Sequence, residues 1–197
     1  MPDQTSPRPR PGVSPDKIVA VAADLDDAHG LDALTMAAIA RHLHISVPGL
    51  YKHVGSLEDV RRAVALLGIT ELTAAITASA VGLAGPDAVF AAANAFRAYA
   101  HAHPGRYAAS IVAPPAGDAA YTEISDRAVR TIFAIFAAWS LEHELAIDAV
   151  RSFRAILHGF VSLEDAGGYG LPQSVDTTFA RLVHGFVLML DDWSRSG

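Results

Sequence analysis

The sequence predicts an all-α chain of about nine helices in two parts, and three observations predict it. Apolar residues recur at steps of three and four from Pro15 onward, with no alternating run of convincing length. Side-chain caps punctuate the first third of the chain, and glycine and proline breaks divide the remainder. Of the 197 residues, 51% are hydrophobic and 18% charged, with a mean hydropathy of +0.27. That composition can bury a large core and excludes a disordered chain.

Residues 1–13 are expected to form a disordered arm, because Pro2, Pro7, Pro9 and Pro11 remove backbone donors and favour extended conformers. Ser14-Pro15-Asp16-Lys17 then reads as a helix start, with a cap, a first-turn proline and an acid at the positive end of the dipole. Ile18, Val21, Ala22 and Leu25 continue at helical spacing until Gly30, which places a helix over 15–29. Thr35 caps a short helix through Met36, Ile39, Ala40 and Leu43. Ser46 caps another, with Pro48 in its first turn, Leu50, Tyr51 and Val54 behind it, and Gly55 as its stop. Ser56-Leu57-Glu58-Asp59 repeats the cap pattern. Further helices are expected at about 57–80, 86–102, 105–112, 118–140, 143–166 and 172–194.

The segment from Leu34 to Val54 has the spacing of a helix-turn-helix, two short helices about a tight turn with Ile39, Ala40, Leu43, Ile45, Leu50 and Val54 as the seam. Together with the helices on either side it resembles the TetR family of bacterial transcriptional regulators over about Ser14 to Ala65, most specifically at Pro48, Leu50-Tyr51 and His53-Val54. The resemblance implies a helix-turn-helix DNA-binding domain at 14–65 and a C-terminal helical ligand-binding and dimerisation domain at 66–197. It implies a phosphate contact at the start of the first short helix, from Thr35 with Met36. It also implies base and backbone contacts from Ser46, Val47, Pro48, Gly49, Tyr51, Lys52 and His53. Chemically, Val47 and Pro48 suit thymine methyls, and Tyr51, Lys52 and His53 can donate to phosphates. The chain departs from the family in having Leu57 and Ala37 where basic residues are common. Arg8, Arg10, Lys17 and Arg41 are therefore the expected sources of additional phosphate affinity, the arm by reaching a minor groove. Arg8 and Arg10 read either as groove contacts or, preferably, as a solvated tail.

The two last predicted helices carry apolar stripes, Val150, Phe153, Leu157, Phe160 and Val161 on one and Val175, Phe179, Leu182, Phe186 and Leu190 on the other. Paired with symmetry mates, Val150, Leu157, Phe160 and Val161 and the whole second stripe would make a four-helix dimer interface. The competing reading is an intramolecular core. Arg154 to Glu164 also resembles a C-terminal TetR class with a Trp-x-x-x-His-Gly signature, Arg154 standing at the tryptophan. Phe96, Tyr99, Tyr107, Phe133, Phe136, Trp139, Phe153 and His158 are expected around a mostly apolar ligand pocket, about three of the aromatics touching the ligand. His158 reads either as a ligand contact or, preferably, as a satisfied core histidine.

Fifteen Lys and Arg against twenty-one Asp and Glu give a formal charge of −6, which taken whole argues against DNA. Most of the excess acid, net −5, lies in 66–197, while 41–62 is net +2. The absence of cysteine excludes disulfides, thiolate metal sites and cysteine nucleophiles. His42-x-His44 and His101-x-His103 point their imidazoles apart on a helix, so no zinc site is expected. Gly167 to Gly170 follows a helix, not a strand, and no hydrolase or metalloprotease motif is present. No cofactor and no enzymatic activity are expected. The uncharged stretch 72–86 is too short and polar to span a membrane, so a cytoplasmic protein is anticipated. The expected function is a homodimeric repressor on a near-palindromic double-stranded DNA operator, released by a largely apolar small molecule. A ligand-independent regulator or activator, and a helical small-molecule-binding protein without DNA function, are the alternatives.

Overall fold

A computed structural model describes residues 13–113 and 115–196. Among these residues there are nine α-helices and no strand: α1 Pro15–His29, α2 Met36–His42, α3 Val47–Leu50, α4 Leu57–Ala80, α5 Gly85–Ala102, α6 Pro104–Ser110, α7 Ala119–Ile135, α8 His143–Asp165 and α9 Val175–Ser196. Two single 3-10 turns, Leu31–Ala33 and Ala137–Trp139, complete the described structure. Contacts divide the chain into one compact unit up to Val64 and another from Ala65, with α4 contributing its first turns to the former and the rest to the latter. The arm expected at 1–13, with Arg8 and Arg10, lies outside the described residues apart from Val13.

In the first unit each helix start is made by a hydroxyl. Ser14 accepts from Lys17 N at 3.3 Å, Thr35 from Ala38 N at 3.1 Å, Ser46 from Gly49 N at 3.2 Å and Ser56 from Asp59 N at 3.0 Å. Each bond satisfies one of the donors a helix start leaves unpaired. The 3-10 turn at Leu31–Ala33, which no capping signal announces, follows Gly30, whose φ of 77° closes α1. The turn between α2 and α3 is a Schellman closure: Ile45 N donates to Ala40 O at 3.0 Å and His44 N to Arg41 O at 3.2 Å. His44 therefore takes the left-handed φ of 54°, a position that glycine usually holds. The core of this unit is aliphatic, with Ile18, Leu34, Ile39 and Leu50 fully buried and Val60 and Val64 buried on the first turns of α4.

The second unit is built on α5, whose buried Ala88, Ala92, Ala93 and Ala100 let α8 and α9 pack closely against it. Leu157, Phe160 and Val161 of α8 meet Phe179, Val183, Phe186 and Leu190 of α9 in one core. This corrects the expected dimer interface. Leu157, Val161 and Leu190 have no exposed surface, and Phe160, Phe179 and Phe186 have 5%, 2% and 4%, so none has area left to bury against a second copy. Val150, Val175 and Leu182 pack against the same core as partly buried neighbours. An apolar stripe reports that a face is covered, not by what.

Helix ends differ from expectation where tertiary contacts decide them. The helix expected over 118–140 stops at Ile135: Phe136 packs on Phe153 and Phe186 with ring centroids 5.4 and 5.5 Å away, and Ser140 turns left-handed at φ 49°. Trp139 is buried there and donates Nε1–H to Asp191 Oδ1 at 2.7 Å. The last helix begins at Val175 and not at 172, capped by Ser174, which accepts from Thr177 N at 3.3 Å. The helix expected at 105–112 spans Pro104–Ser110. α4 is long and apolar enough to cross a membrane by length and composition alone. Its first turns, however, carry Glu58, Asp59, Arg61 and Arg62, and its remaining length supplies Ile69 and Ile76 to the core of the second unit.

Candidate nucleic-acid interface and ligand cavity

The helix-turn-helix presents an exposed polar series on the aliphatic core of the first unit. Thr35 is exposed, and although Oγ1 accepts from Ala38 N, its hydroxyl proton remains to donate to an anion. The Met36 side chain is 8% exposed and belongs to the core, so it is the backbone N–H at the helix start that can face a phosphate. Leu50 is fully buried and anchors α3, whose Val47 and Gly49 are half-buried while Ser46 and Pro48 are exposed. The helix expected to reach Val54 ends at Leu50. Beyond it the bonds tighten to the i−3 pattern, Lys52 N to Gly49 O at 3.3 Å and His53 N to Leu50 O at 2.9 Å. That tightening leaves Tyr51, Lys52 and His53 exposed, Tyr51 at 52%. Tyr51 is also the one aromatic residue in 1–64. Lys17 and Arg41 are exposed at the start of α1 and the end of α2, whereas Leu57 at the start of α4 is half-buried.

Within the second unit a cavity of about 610 Å³ opens among α4, α5, α6, α7 and α8. Its walls are largely apolar, including Ile69, Leu72 and Ile76 of α4 and Ile132 of α7. Of the expected pocket residues, Phe96, Tyr107, Phe153 and His158 line it. Tyr99, Phe133, Phe136 and Trp139 do not, which corrects their placement. The Tyr99 hydroxyl donates to Glu71 at 3.0 Å, and Phe136 and Trp139 belong to the core. The Tyr107 hydroxyl lies 2.7 Å from His158 Nδ1, and its ring meets Phe96 edge-on at 5.4 Å. Burial pushes the Tyr107 phenol up to about 12, so it stays protonated. His158 is half-buried with that partner, both a cavity residue and a hydrogen-bonded one.

Residues 18–64 match the family described as bacterial regulatory proteins of the tetR family, and residues 89–186 match the tetracyclin repressor-like C-terminal domain. The chain is 40% identical over 156 residues to the HTH-type transcriptional regulator Rv0681 of Mycobacterium tuberculosis, covering 79% of this chain and 72% of that one. The chain belongs to the TetR family. YobS, an HTH-type transcriptional regulator of Bacillus subtilis, is 30% identical over 156 residues, 79% of this chain and 81% of its own. A TetR variant from Acinetobacter baumannii solved in complex with minocycline shares the TetR fold, with a TM-score of 0.66 at 19% identity over 93% of this chain and 98% of that one. As a TetR-family member the chain is a DNA-binding transcriptional regulator and not an enzyme.

Sequence reasoning missed several residues of this TetR-family cavity. Thr73, Ser110, Ser125 and Thr131 supply hydroxyls to its wall, and Arg151 and Arg154 supply charge. Arg154 donates Nη2 to the carbonyl of Ile111 at 2.6 Å, tying α8 to the C-terminal end of α6. The signal was present in the spacing, since 151, 154, 155 and 158 share one face of α8. Only the fold shows that this face meets the cavity. Away from its wall, Arg97 forms a bidentate pair with Glu164, at 2.9 and 2.5 Å, and reaches Asp176 at 2.8 Å over the rings of Phe160 and Phe179. Burial raises the Glu164 carboxyl, but the hydrogen bonds from Arg97 and His101 outweigh it and hold the group below its ordinary value.

Proposed function

We propose that this regulator is a homodimeric repressor acting in the cytoplasm, which binds a near-palindromic operator and leaves it when a small, largely apolar molecule enters the cavity of the second unit. The observation that carries the reading is the cavity itself. Its wall takes Ile69, Leu72, Thr73 and Ile76 from α4, the helix whose first turns belong to the DNA-binding unit. A ligand that favours one position of α4 over another has the differential affinity an effector needs, and a coupling of about 1–3 kcal/mol changes DNA binding about 5- to 150-fold. The minocycline complex of the Acinetobacter baumannii relative supports a ligand in this fold.

Dimerisation is assigned to the open faces of α8 and α9 in place of their buried stripes. Leu163 and Leu188 are 51% and 53% exposed, and a methyl group built on Gly159 or Gly185 meets nothing within 4 Å. These faces can accept a second copy closely, and Leu188→Glu is expected to give monomers in analytical ultracentrifugation. A dimer would set its recognition helices about 34–36 Å apart on successive major grooves. Selection of genomic fragments by the full-length protein tests the reading. Recovery of one enriched palindrome supports it, and recovery of none defeats it. Titrating compounds that bind the protein into the operator complex then separates an inducible repressor from a ligand-independent regulator.

A further inference from the structure

We infer that the cavity takes an organic anion, a molecule with an apolar body and one carboxylate, whose carboxylate is held by Arg154 beside His158. The inference deepens the proposed effector site and rests on that reading. Its first support is the charge of the wall. Among the described residues, the charged ones lining the cavity are Arg151 and Arg154, and no Asp or Glu is among them. The unit around it nonetheless holds thirteen Asp and Glu against eight Lys and Arg. A cation-only wall inside an acidic unit repels a cationic ligand and attracts an anionic one over a neutral one of the same shape.

The second support is geometric. Arg151, Arg154 and His158 stand on one face of α8, so the polar groups converge on one side of the cavity. Leu72, Ile76, Phe96 and Phe153 supply apolar surface for the body. Arg151 pairs with Asp148 at 3.7 Å on the exposed side, but Arg154 has no carboxylate partner among the described residues. It donates instead to a neutral carbonyl, Ile111 O. A carboxylate adds a full negative charge and a bidentate match to the guanidinium fork, both of which a neutral carbonyl lacks, so a ligand carboxylate displaces the carbonyl or shares the fork with it. Tyr107 engages Nδ1 of His158, and Nε2 remains as the ring nitrogen for the ligand.

The test is calorimetric titration of the full-length protein, without DNA, with two matched pairs: dodecanoate against dodecan-1-ol, and 4-phenylbutyrate against 4-phenylbutan-1-ol. In at least one pair the carboxylate is expected to bind about tenfold tighter, the ratio one charge-assisted hydrogen bond supplies. Arg154→Gln is expected to bring that ratio close to one while leaving the affinity for the alcohol nearly unchanged. Alcohols that bind as tightly as their acids, a ratio unmoved by Arg154→Gln, or no binding of either acid would each overturn the inference. The wild-type ratio decides the matter even where the variant does not fold. A carboxylate that binds without changing operator affinity upholds the inference and defeats the effector reading. An alcohol that releases DNA while both acids fail does the reverse.

Discussion

Tyr51 combines two properties that rarely coincide in a small aliphatic unit: it is the sole aromatic of the first 64 residues, and it is half exposed. A side chain that contributes little to its own core leaves its ring for a partner. Tyr51→Ala is therefore expected to change stability by no more than about 0.5 kcal/mol while costing about tenfold or more in operator affinity, read by fluorescence anisotropy on a selected operator. Unchanged affinity would place the recognition surface elsewhere. His44 makes the opposite case, a residue strained for the sake of the turn. Its left-handed φ of 54° costs about 1–2 kcal/mol relative to glycine, so His44→Gly is expected to raise the urea midpoint. Residue-scale features of this kind were legible where the interaction is local. Ser14, Thr35, Ser46 and Ser56 each bond to an amide three positions on, which spacing alone foretells. That the Met36 side chain turns inward one position inside a cap was not legible in the same way, because the direction depends on the neighbouring helices.

At the scale of elements, α4 and α6 approach closely at Gly68. A methyl group on Gly68 would lie 2.4 Å from the backbone oxygen of Arg106, and backbone cannot rotate away as a side chain would. Gly68→Ala is expected to destabilise by about 1–3 kcal/mol, lowering the midpoint of thermal unfolding. The Arg97–Glu164 pair joins α5 to α8 and, through Asp176, to α9. Because the folded state holds Glu164 below its ordinary value, this stabilisation is complete above the unfolded pKa and is lost as pH falls through the folded one. Glu164→Gln should thus be less stable than wild type at neutral pH in urea unfolding, and the gap should close as the solution is acidified. The elements show why periodicity reads helices well and partners badly. Leu157 and Leu190 lie on evident stripes, but a hydrophobic face is satisfied equally by its own chain or by another copy. The break after Ile135 had no glycine or proline to announce it, since an aromatic cluster assembled from three helices makes it.

For the molecule as a whole, acidity and DNA binding are reconciled by their location. The described exposed cations of the first unit are Lys17, Arg41 and Lys52, so a dimer brings about six to the phosphates and the slope of log K against log salt is expected no steeper than about −5. Filter binding from low to physiological salt measures that slope, and a markedly steeper one would mean that further cations reach the DNA. The cavity was only partly foreseeable at this scale. Its aromatics could be guessed from composition and its two arginines share one face of α8, but only the packing of the other helices against that face makes it a cavity wall. The chain has two tryptophans, Trp139 and Trp193, both in the second unit. With Trp139 buried and hydrogen-bonded to Asp191, intrinsic emission at long wavelength is a private optical channel for the half that holds the cavity. The unit that reads DNA is dark in that channel, so setting tryptophan emission beside far-UV circular dichroism during thermal unfolding shows whether one unit melts before the other.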